Sequence, residues 1–176
     1  MNLATYSISA TEVVSGLQRN RVDHVVTVPD WVQLSLHQRL HEGVPGIRLI
    51  NCSNENQCLT VAAGLQLGGR RPLLVMQNQG LYNCTNTLRA VGLDAHIPLV
   101  LMVGQFGREY ANFGHPSTSS RRVMVNLLEP LLNTLGVPYH RLETPADLTA
   151  MDIAFTQAEK RNGPVALLVG APMSWN

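Results

Sequence analysis

Residues 51–83, NCSNENQCLTVAAGLQLGGRRPLLVMQNQGLYN, contain one helix between two strand-like runs, and that helix carries a single charged residue. The helix is predicted over residues 55–67 and ends at Gly68-Gly69, a pair typical of a helix C-terminus. The apolar run PLLVMQ at 72–77 is predicted to be a strand. Asn or Ser is enough to begin such a helix, so the carboxylate of Glu55 in its first turn points to a role beyond capping.

The same alternation of helix and strand extends along the chain. Helices are predicted at 9–20, 31–41, 55–67, 81–92, 119–135 and 145–161, and strands at 23–28, 47–52, 72–77, 98–104, 138–142 and 164–170. Several strands are continuous apolar runs, which is typical of parallel strands buried on both faces. Four begin with proline, which is tolerated at the first position of a strand. We therefore predict an α/β fold: a single doubly wound domain over residues 1–176, with a roughly six-stranded parallel sheet flanked by helices.

Composition excludes several classes of protein. Charged residues make up only 14% of the 176 residues and the formal net charge is +1, without a basic stripe for nucleic acid. No apolar run approaches the roughly 20 residues of a membrane span, and the N-terminus does not resemble a signal peptide. A cytoplasmic protein is expected, with part of its surface covered by another subunit. The three cysteines have no CxxC spacing, so neither disulfides nor a metal site is predicted.

Polar loops follow the predicted strands. Ligands of doubly wound folds bind beyond the carboxyl ends of the strands, here residues 28–31, 51–56, 77–83 and 104–121. These loops contain Asp30, Glu55, a glycine-containing amide turn and His115. None has GxGxxG or GxxxxGK[ST], which argues against a dinucleotide fingerprint or a P-loop. His37 and His41 have the spacing of a zinc peptidase pair, but Gln38 replaces the required Glu, so a solvated helix face is predicted there.

These loops also carry a family resemblance. Asn54-Glu55 through Gly64, followed by LLVMQN at 73–78 and Gly80-Leu81, resembles the pyrimidine-binding (PYR) domain of thiamine-diphosphate decarboxylases. It is similar to the alpha subunit of sulfopyruvate decarboxylase and to the N-terminal part of phosphonopyruvate decarboxylase, in which a run like LLxMQNxGLxN follows the helix that carries the glutamate. The resemblance covers roughly residues 5–170, with the VPD loop at 28–30, the Glu helix and the MQN turn in the expected order.

The resemblance implies a role for Glu55. In that family the glutamate hydrogen-bonds N1′ of the cofactor's aminopyrimidine, which promotes the imino form that removes the C2 proton of the thiazolium. The cofactor then serves as the electron sink for decarboxylation of a 2-oxo acid. Without the resemblance, a Glu in the first turn would simply complement the helix dipole.

The resemblance also suggests the other site residues. The catalytic candidates are Glu55, Asp30 and His115; the cofactor-binding candidates are Glu55, Gln77, Asn78 and Pro29; the substrate-binding candidates are Asp30, His115 and Arg121. Arg121 follows Ser119-Ser120 at a predicted helix start, where free N–H groups favour an anionic sulfonate or phosphonate. A solvated first helical turn would explain the same residues.

One part of such an enzyme is missing from the sequence. Thiamine-diphosphate enzymes bind Mg²⁺ and the diphosphate through a second domain marked by GDG, and this chain has no GDG. The resemblance therefore implies a beta subunit that binds Mg²⁺ and the diphosphate, shares the cofactor and completes a hetero-oligomer. The expected reaction is decarboxylation of a small anionic 2-oxo acid, sulfopyruvate to sulfoacetaldehyde and CO₂, or else phosphonopyruvate or another 2-oxo acid.

Two other classes remain open at this point. The chain could be a non-catalytic PYR-like domain with a regulatory or scaffolding role, in which Glu55→Gln would have no functional effect. It could also be a flavodoxin-like or nucleotide-binding module. The first loop, VPDWVQ, lacks the glycines that cradle a phosphate and does not favour that last class.

Overall fold

All six strands of the computed structural model, which describes residues 3–175, belong to one parallel sheet in the order β2-β1-β3-β4-β6-β5. The strands are β1 (His24–Thr27), β2 (Arg48–Asn51), β3 (Pro72–Gln77), β4 (Val100–Gly104), β5 (Tyr139–Leu142) and β6 (Val165–Val169). The four inner strands are almost entirely buried, whereas the edge strands β2 and β5 are partly exposed. The predicted sheet is confirmed, and its continuous apolar runs are the strands covered on both faces.

Helices cover both faces of the sheet. They are α1 (Ala10–Arg19), α2 (Leu34–Glu42), α3 (Glu55–Leu67), α4 (Asn78–Asn83), α5 (Thr85–Thr87), α6 (Val123–Asn126), α7 (Leu128–Thr134) and α8 (Ala150–Arg161). A π-helix at Leu88–Asp94 and short 3₁₀ turns at Leu3–Tyr6, Tyr110–Asn112, Ser117–Ser119 and Pro145–Thr149 complete the helical segments. One apolar cluster joins α1, α2 and α8 to the sheet, and a second joins α3, α4, the π-helix and α7 to the opposite face. The fold is therefore doubly wound, as predicted.

Three predicted helices are divided in the structure, and the one expected at 145–161 is a 3₁₀ turn at Pro145–Thr149 followed by α8. The helix expected at 81–92 begins earlier, at Asn78, and consists of α4, α5 and the π-helix. The helix expected at 119–135 is divided into a 3₁₀ turn, α6 and α7. Pro130 explains the division between α6 and α7, because its missing N–H cannot bond to the carbonyl four residues earlier.

The sheet register places the carboxyl ends of its strands along one edge. Thr27 pairs with Asn51 and Val75, and Gln77 pairs with Gly104, which pairs in turn with Val169. The loops that follow β1, β2, β3 and β4 therefore emerge side by side. Within residues 3–175, no helix is both long and apolar enough to cross a bilayer.

Candidate active site

Glu55 is the first residue of α3, separated by three residues from the end of the edge strand β2 at Asn51. Asn54 caps this helix, since its side-chain oxygen accepts a hydrogen bond from the Gln57 N–H at 3.0 Å. The cap belongs to Asn54, so the Glu55 carboxylate is not needed to begin the helix. Glu55 is half-buried, and its side chain lies against α4.

Two residues of α4 surround the Glu55 carboxylate. Asn83 Nδ2 donates a hydrogen bond to Oε2 at 3.2 Å. A Cβ at Gly80 would lie 2.4 Å from Glu55 Cγ and 2.6 Å from Oε1, so any larger residue would displace this carboxylate. No hydrogen bond to Oε1 is found within residues 3–175. One carboxylate oxygen is thus held and the other is available.

Buried thiols lie beneath Glu55. Burial, followed by the negative charge of Glu55, raises the pKa of Cys84 to about 12. Burial raises the pKa of Cys58 even further, with contributions from Cys52 and Glu55. All three cysteines are free, and both buried thiols stay protonated at neutral pH. The carboxylate therefore rests on an uncharged, apolar layer of the core.

Asp30 follows β1, as predicted, but it is only 1% exposed. Its Oδ1 accepts from the Val32 N–H at 2.9 Å, and its Oδ2 accepts from Gln33 Nε2 at 2.8 Å. Burial raises the pKa of Asp30 to about 6 against the opposing effect of these hydrogen bonds. Both oxygens are committed within the chain, so Asp30 fixes the loop after β1. Its contact with a substrate stays a prediction.

The histidines of α2 also differ from expectation. The prediction of a solvated face is wrong for His37, which is buried and accepts a hydrogen bond from the Asp30 N–H at Nε2, 3.0 Å away. Burial, together with the charge of His41, lowers the pKa of His37 to about 4. The alternation of apolar and polar residues on α2 did not reveal this bond, because it depends on a loop that folds back onto the helix. Within residues 3–175, no group of three His, Cys, Asp or Glu side chains has a metal-binding arrangement.

Of the predicted cofactor-binding residues, Pro29 lies in the loop that contains Asp30, Gln77 is the last residue of β3, and Asn78 is the first residue of α4. Pro29 is exposed, and the half-buried Gln77 side chain makes no hydrogen bond within the described part of the chain. Asn78 is fully buried, and its Nδ2 donates to the carbonyls of Phe106 at 3.1 Å and Met124 at 2.6 Å. Asn78 therefore ties the β3–α4 turn to the loop after β4, and its amide has no hydrogen left for a cofactor.

Arg108 organises the loop between β4 and α6, a role that sequence reasoning missed. Its guanidinium donates to Asn112 Oδ1, Gln105 Oε1 and the His115 carbonyl, each at 2.8 Å. It also pairs with Glu143 beyond the end of β5, and its side chain is only 2% exposed. A buried ion pair across two loops has no local sequence signature, because its partners are 35 residues apart.

His115 and Arg121 lie in one groove of about 320 Å³, which is also lined by Glu109, Ser119 and Ser120. Glu109 accepts hydrogen bonds from Ser120 Oγ at 2.6 Å and from the Arg121 N–H at 3.0 Å. The Ser120 hydrogen bond lowers the pKa of Glu109. The Arg121 guanidinium itself has no hydrogen bond or ion pair within residues 3–175. The groove thus holds one uncommitted cation beside a carboxylate.

Comparison with known proteins identifies the family. Residues 9–127 match the family model described as thiamine pyrophosphate enzyme, N-terminal TPP binding domain. This match covers more than half of the 176 residues, and the chain belongs to this family of thiamine pyrophosphate (thiamine diphosphate) enzyme domains.

Three individual proteins illustrate the likeness. The chain is 26% identical over 152 residues to sulfopyruvate decarboxylase subunit alpha of Methanothermobacter thermautotrophicus, covering 85% of this chain and 92% of that relative. It is 35% identical over 101 residues to phosphonopyruvate decarboxylase of Streptomyces viridochromogenes, covering 57% of this chain and 25% of that protein. The structure of benzoylformate decarboxylase from Polynucleobacter necessarius superposes with a TM-score of 0.71 at 18% identity, over 93% of this chain and 30% of that one. This last likeness concerns the fold.

The residues around Glu55 fit the aminopyrimidine of the family's cofactor. The free Oε1 offers a hydrogen-bonding group to a ring nitrogen, and Gly80 leaves room for the carboxylate, which a Cβ there would displace. The side-chain amide of Gln77 is uncommitted at the end of the inner strand β3, which is separated from β2 by β1.

Proposed function

We propose that this chain is the cofactor-activating subunit of a thiamine-diphosphate-dependent 2-oxo acid decarboxylase. One observation carries the proposal: the Glu55 carboxylate is held by Asn83 at one oxygen and makes no hydrogen bond through the other within residues 3–175, and the missing side chain of Gly80 gives this carboxylate its room. Membership of the thiamine pyrophosphate enzyme family supports it, as do the names of the relatives, which are decarboxylases.

Each residue has a proposed task. When bound, the cofactor supplies the ring that accepts the electrons released on decarboxylation. Glu55 holds a proton at Oε1 against the aminopyrimidine nitrogen, and Gln77 at the end of β3 and Pro29 in the loop after β1 are further contacts for the cofactor. Asn78 keeps the β3–α4 turn in place through its two carbonyl contacts. Asp30 holds the loop after β1 through its bonds to Val32 and Gln33, and a role in proton transfer is also proposed for it.

A second subunit completes the proposed site. In this proposal residues 1–176 form a single PYR domain, and a beta subunit binds Mg²⁺ and the diphosphate and shares the cofactor in a cytoplasmic hetero-oligomer. Support comes from three relatives called "subunit alpha", which this chain matches over 80–92% of their length. Three free cysteines fit a reducing compartment.

The proposed substrate is sulfopyruvate, which would yield sulfoacetaldehyde and CO₂. The groove with His115 and Arg121 would hold the sulfonate, since Arg121 is a cation without a partner in the described chain. Phosphonopyruvate or another small 2-oxo acid is the alternative within the class, because one relative is a phosphonopyruvate decarboxylase. A non-catalytic PYR-like domain is the alternative outside it.

The first test is purification of the tagged chain from its native host, followed by native mass spectrometry. A second chain that carries thiamine diphosphate and Mg²⁺ is expected. The complex is then assayed with sulfopyruvate, phosphonopyruvate and pyruvate. A chain that purifies alone, and binds no cofactor when thiamine diphosphate and Mg²⁺ are added, would support the alternative of a non-catalytic domain.

Glu55→Gln in the purified complex tests the chemistry. Loss of the carboxyl proton should lower decarboxylation by about 100-fold or more while assembly is retained. Glu42→Gln is the matched control, because Glu42 is an exposed carboxylate whose Oε1 accepts from Gln38 Nε2 at 2.8 Å, on a different helix. Equal activity of the two variants would refute the catalytic proposal.

A further inference from the structure

The short helix α4 presents two residues to the Glu55 carboxylate. Gly80 and Asn83 are three residues apart, so they share one face of the helix. Gly80 allows α4 to approach the carboxylate, and Asn83 donates the hydrogen bond to its Oε2. These two features have different physical origins, one steric and one polar, yet they act on the same group.

The chemistry of the Asn83 side chain suits an orienting role. Its amide is a neutral donor, so it can hold Oε2 without adding a charge that would compete for the proton at Oε1. A carboxylate fixed at one oxygen can rotate less about its terminal bond. Its second oxygen is then held in one place, close to Gly80, where a Cβ would lie 2.6 Å from it.

We propose that Asn83 is a positioning residue, which holds Glu55 Oε2 so that Oε1 faces the cofactor's aminopyrimidine, with Gly80 as the position that admits this geometry. The inference rests on the proposed function and deepens it. It assigns no contact between Asn83 and the cofactor; Asn83 acts through Glu55.

Other contacts should keep residues 78–88 packed on α3 when the Asn83 amide is removed. Thr87 Oγ1 in α5 donates to Asn56 Oδ1 at 2.6 Å, four residues after Asn83 and one residue after Glu55. Leu81, Cys84 and Leu88 are fully buried in the apolar cluster that includes α3. Asn83→Ala should therefore fold and assemble, because Asn83 itself is exposed.

The test compares Asn83→Ala with Thr87→Val in the assembled complex. Thr87→Val removes the neighbouring bond between the same two segments without touching Glu55, and it should lower Tm only. Asn83→Ala should slow the exchange of the cofactor's C2 proton for deuterium by about tenfold, with the dissociation constant of thiamine diphosphate changed less than about threefold. Asn83→Gln, which keeps the amide on a longer arm, should recover part of the exchange rate.

Several results would overturn the inference. Exchange in Asn83→Ala within twofold of wild type would do so, as would an equal loss in Thr87→Val, which would indicate docking of the helix rather than orientation. A crystal structure of Asn83→Ala supplies a readout without cofactor: the carboxylate should leave its wild-type orientation, and an unmoved carboxylate would refute the role. Loss of the proposed function itself would be recognised separately, by wild type and Glu55→Gln behaving alike.

Discussion

Asp30 and Glu55 follow neighbouring strands of the same sheet, yet the chain treats their carboxylates in opposite ways. Asp30 is 1% exposed and both its oxygens accept hydrogen bonds from its own loop. Glu55 is half-buried and commits only one oxygen. A position at the carboxyl end of a parallel strand therefore identifies candidates, and the uncommitted atoms decide which of them can act on a ligand.

The loop after β4 allows the strongest test of this distinction, because its Arg108 is committed and its Arg121 is free. Arg108→Met removes a buried cation and leaves Glu143 unpaired, so we expect a loss of about 3–5 kcal/mol in the free energy of unfolding. Arg121→Met removes an exposed cation and should change that free energy by no more than about 0.5 kcal/mol. Urea denaturation measures both values.

Arg121→Met, which should hardly change stability, should instead change activity. If its guanidinium holds the anionic tail of the substrate, Arg121→Met should raise the KM for sulfopyruvate and leave the KM for pyruvate unchanged. An equal loss of stability in the two arginine variants would show that committed and free residues of this loop do not differ.

A glycine lies against each of the two carboxylates, Gly104 against Asp30 and Gly80 against Glu55, and the two should respond differently to substitution. A Cβ at Gly104 would lie 1.9 Å from Asp30 Oδ2 and 2.9 Å from Val32 Cβ, in a place where neither neighbour can move. Gly104→Ala should therefore cost about 3 kcal/mol of stability, at the upper end for overpacked sites. At Gly80 the displaced group is a half-buried side chain that can swing outward, so Gly80→Ala should change stability by less than about 1 kcal/mol.

The larger effect on decarboxylase activity is expected at Gly80. Gly80→Ala should remove most decarboxylase activity from a folded complex, because the carboxylate leaves its orientation. Thermal unfolding and turnover of the same two preparations measure both effects. A Gly80→Ala enzyme with wild-type turnover would contradict the importance of this close approach.

Asp30 and His37 should make opposite contributions to the pH dependence of stability. Burial raises the pKa of Asp30 to about 6, so the folded state binds a proton that the unfolded state has lost, and stability falls as the pH rises from about 4 to 6. Burial lowers the pKa of His37 to about 4, so the unfolded state binds more protons and stability rises from about pH 4 to 6.5. The two slopes oppose each other in wild type.

Replacing either residue should leave the pH dependence of stability that the other one contributes. His37→Gln should lose about 2–3 kcal/mol of stability between pH 4 and 6 relative to its own value at pH 4, and Asp30→Asn should gain a similar amount. Urea denaturation at several pH values provides the comparison with wild type. Parallel profiles for the two variants would mean that these buried groups do not titrate as their surroundings indicate.

The elements with strong local patterns could be predicted from the sequence. The bounds of α3 and β3 were predicted at residues 55–67 and 72–77, where the structure has them. Gly68-Gly69 and Pro72 mark these boundaries, and continuous apolar runs identify the inner strands. The place of Glu55 at the carboxyl edge of the sheet followed from these elements alone.

Contacts between distant loops could not be predicted. Asp30 is buried because Gln33 and Gly104 enclose it, and Arg108 pairs with Glu143 across 35 residues. Asn83 meets Glu55 across 28 residues. None of these pairings has a periodicity, so each depends on the folded arrangement of two loops. The sequence therefore identified which residue types lie at the rim, and only the structure distinguishes committed atoms from free ones.

The smallest effect is expected at the cap of α3, next to Glu55. Asn54 Oδ1 accepts the Gln57 N–H, so Asn54→Ala should lower the free energy of unfolding by about 1 kcal/mol. Asn54→Asp keeps the accepting oxygen and is the matched control, with stability close to wild type. Because the cap begins the helix without help from the Glu55 carboxylate, Glu55→Gln should leave the unfolding free energy nearly unchanged. A loss in Glu55→Gln as large as that in Asn54→Ala would return Glu55 to the role of an ordinary residue of a helical first turn.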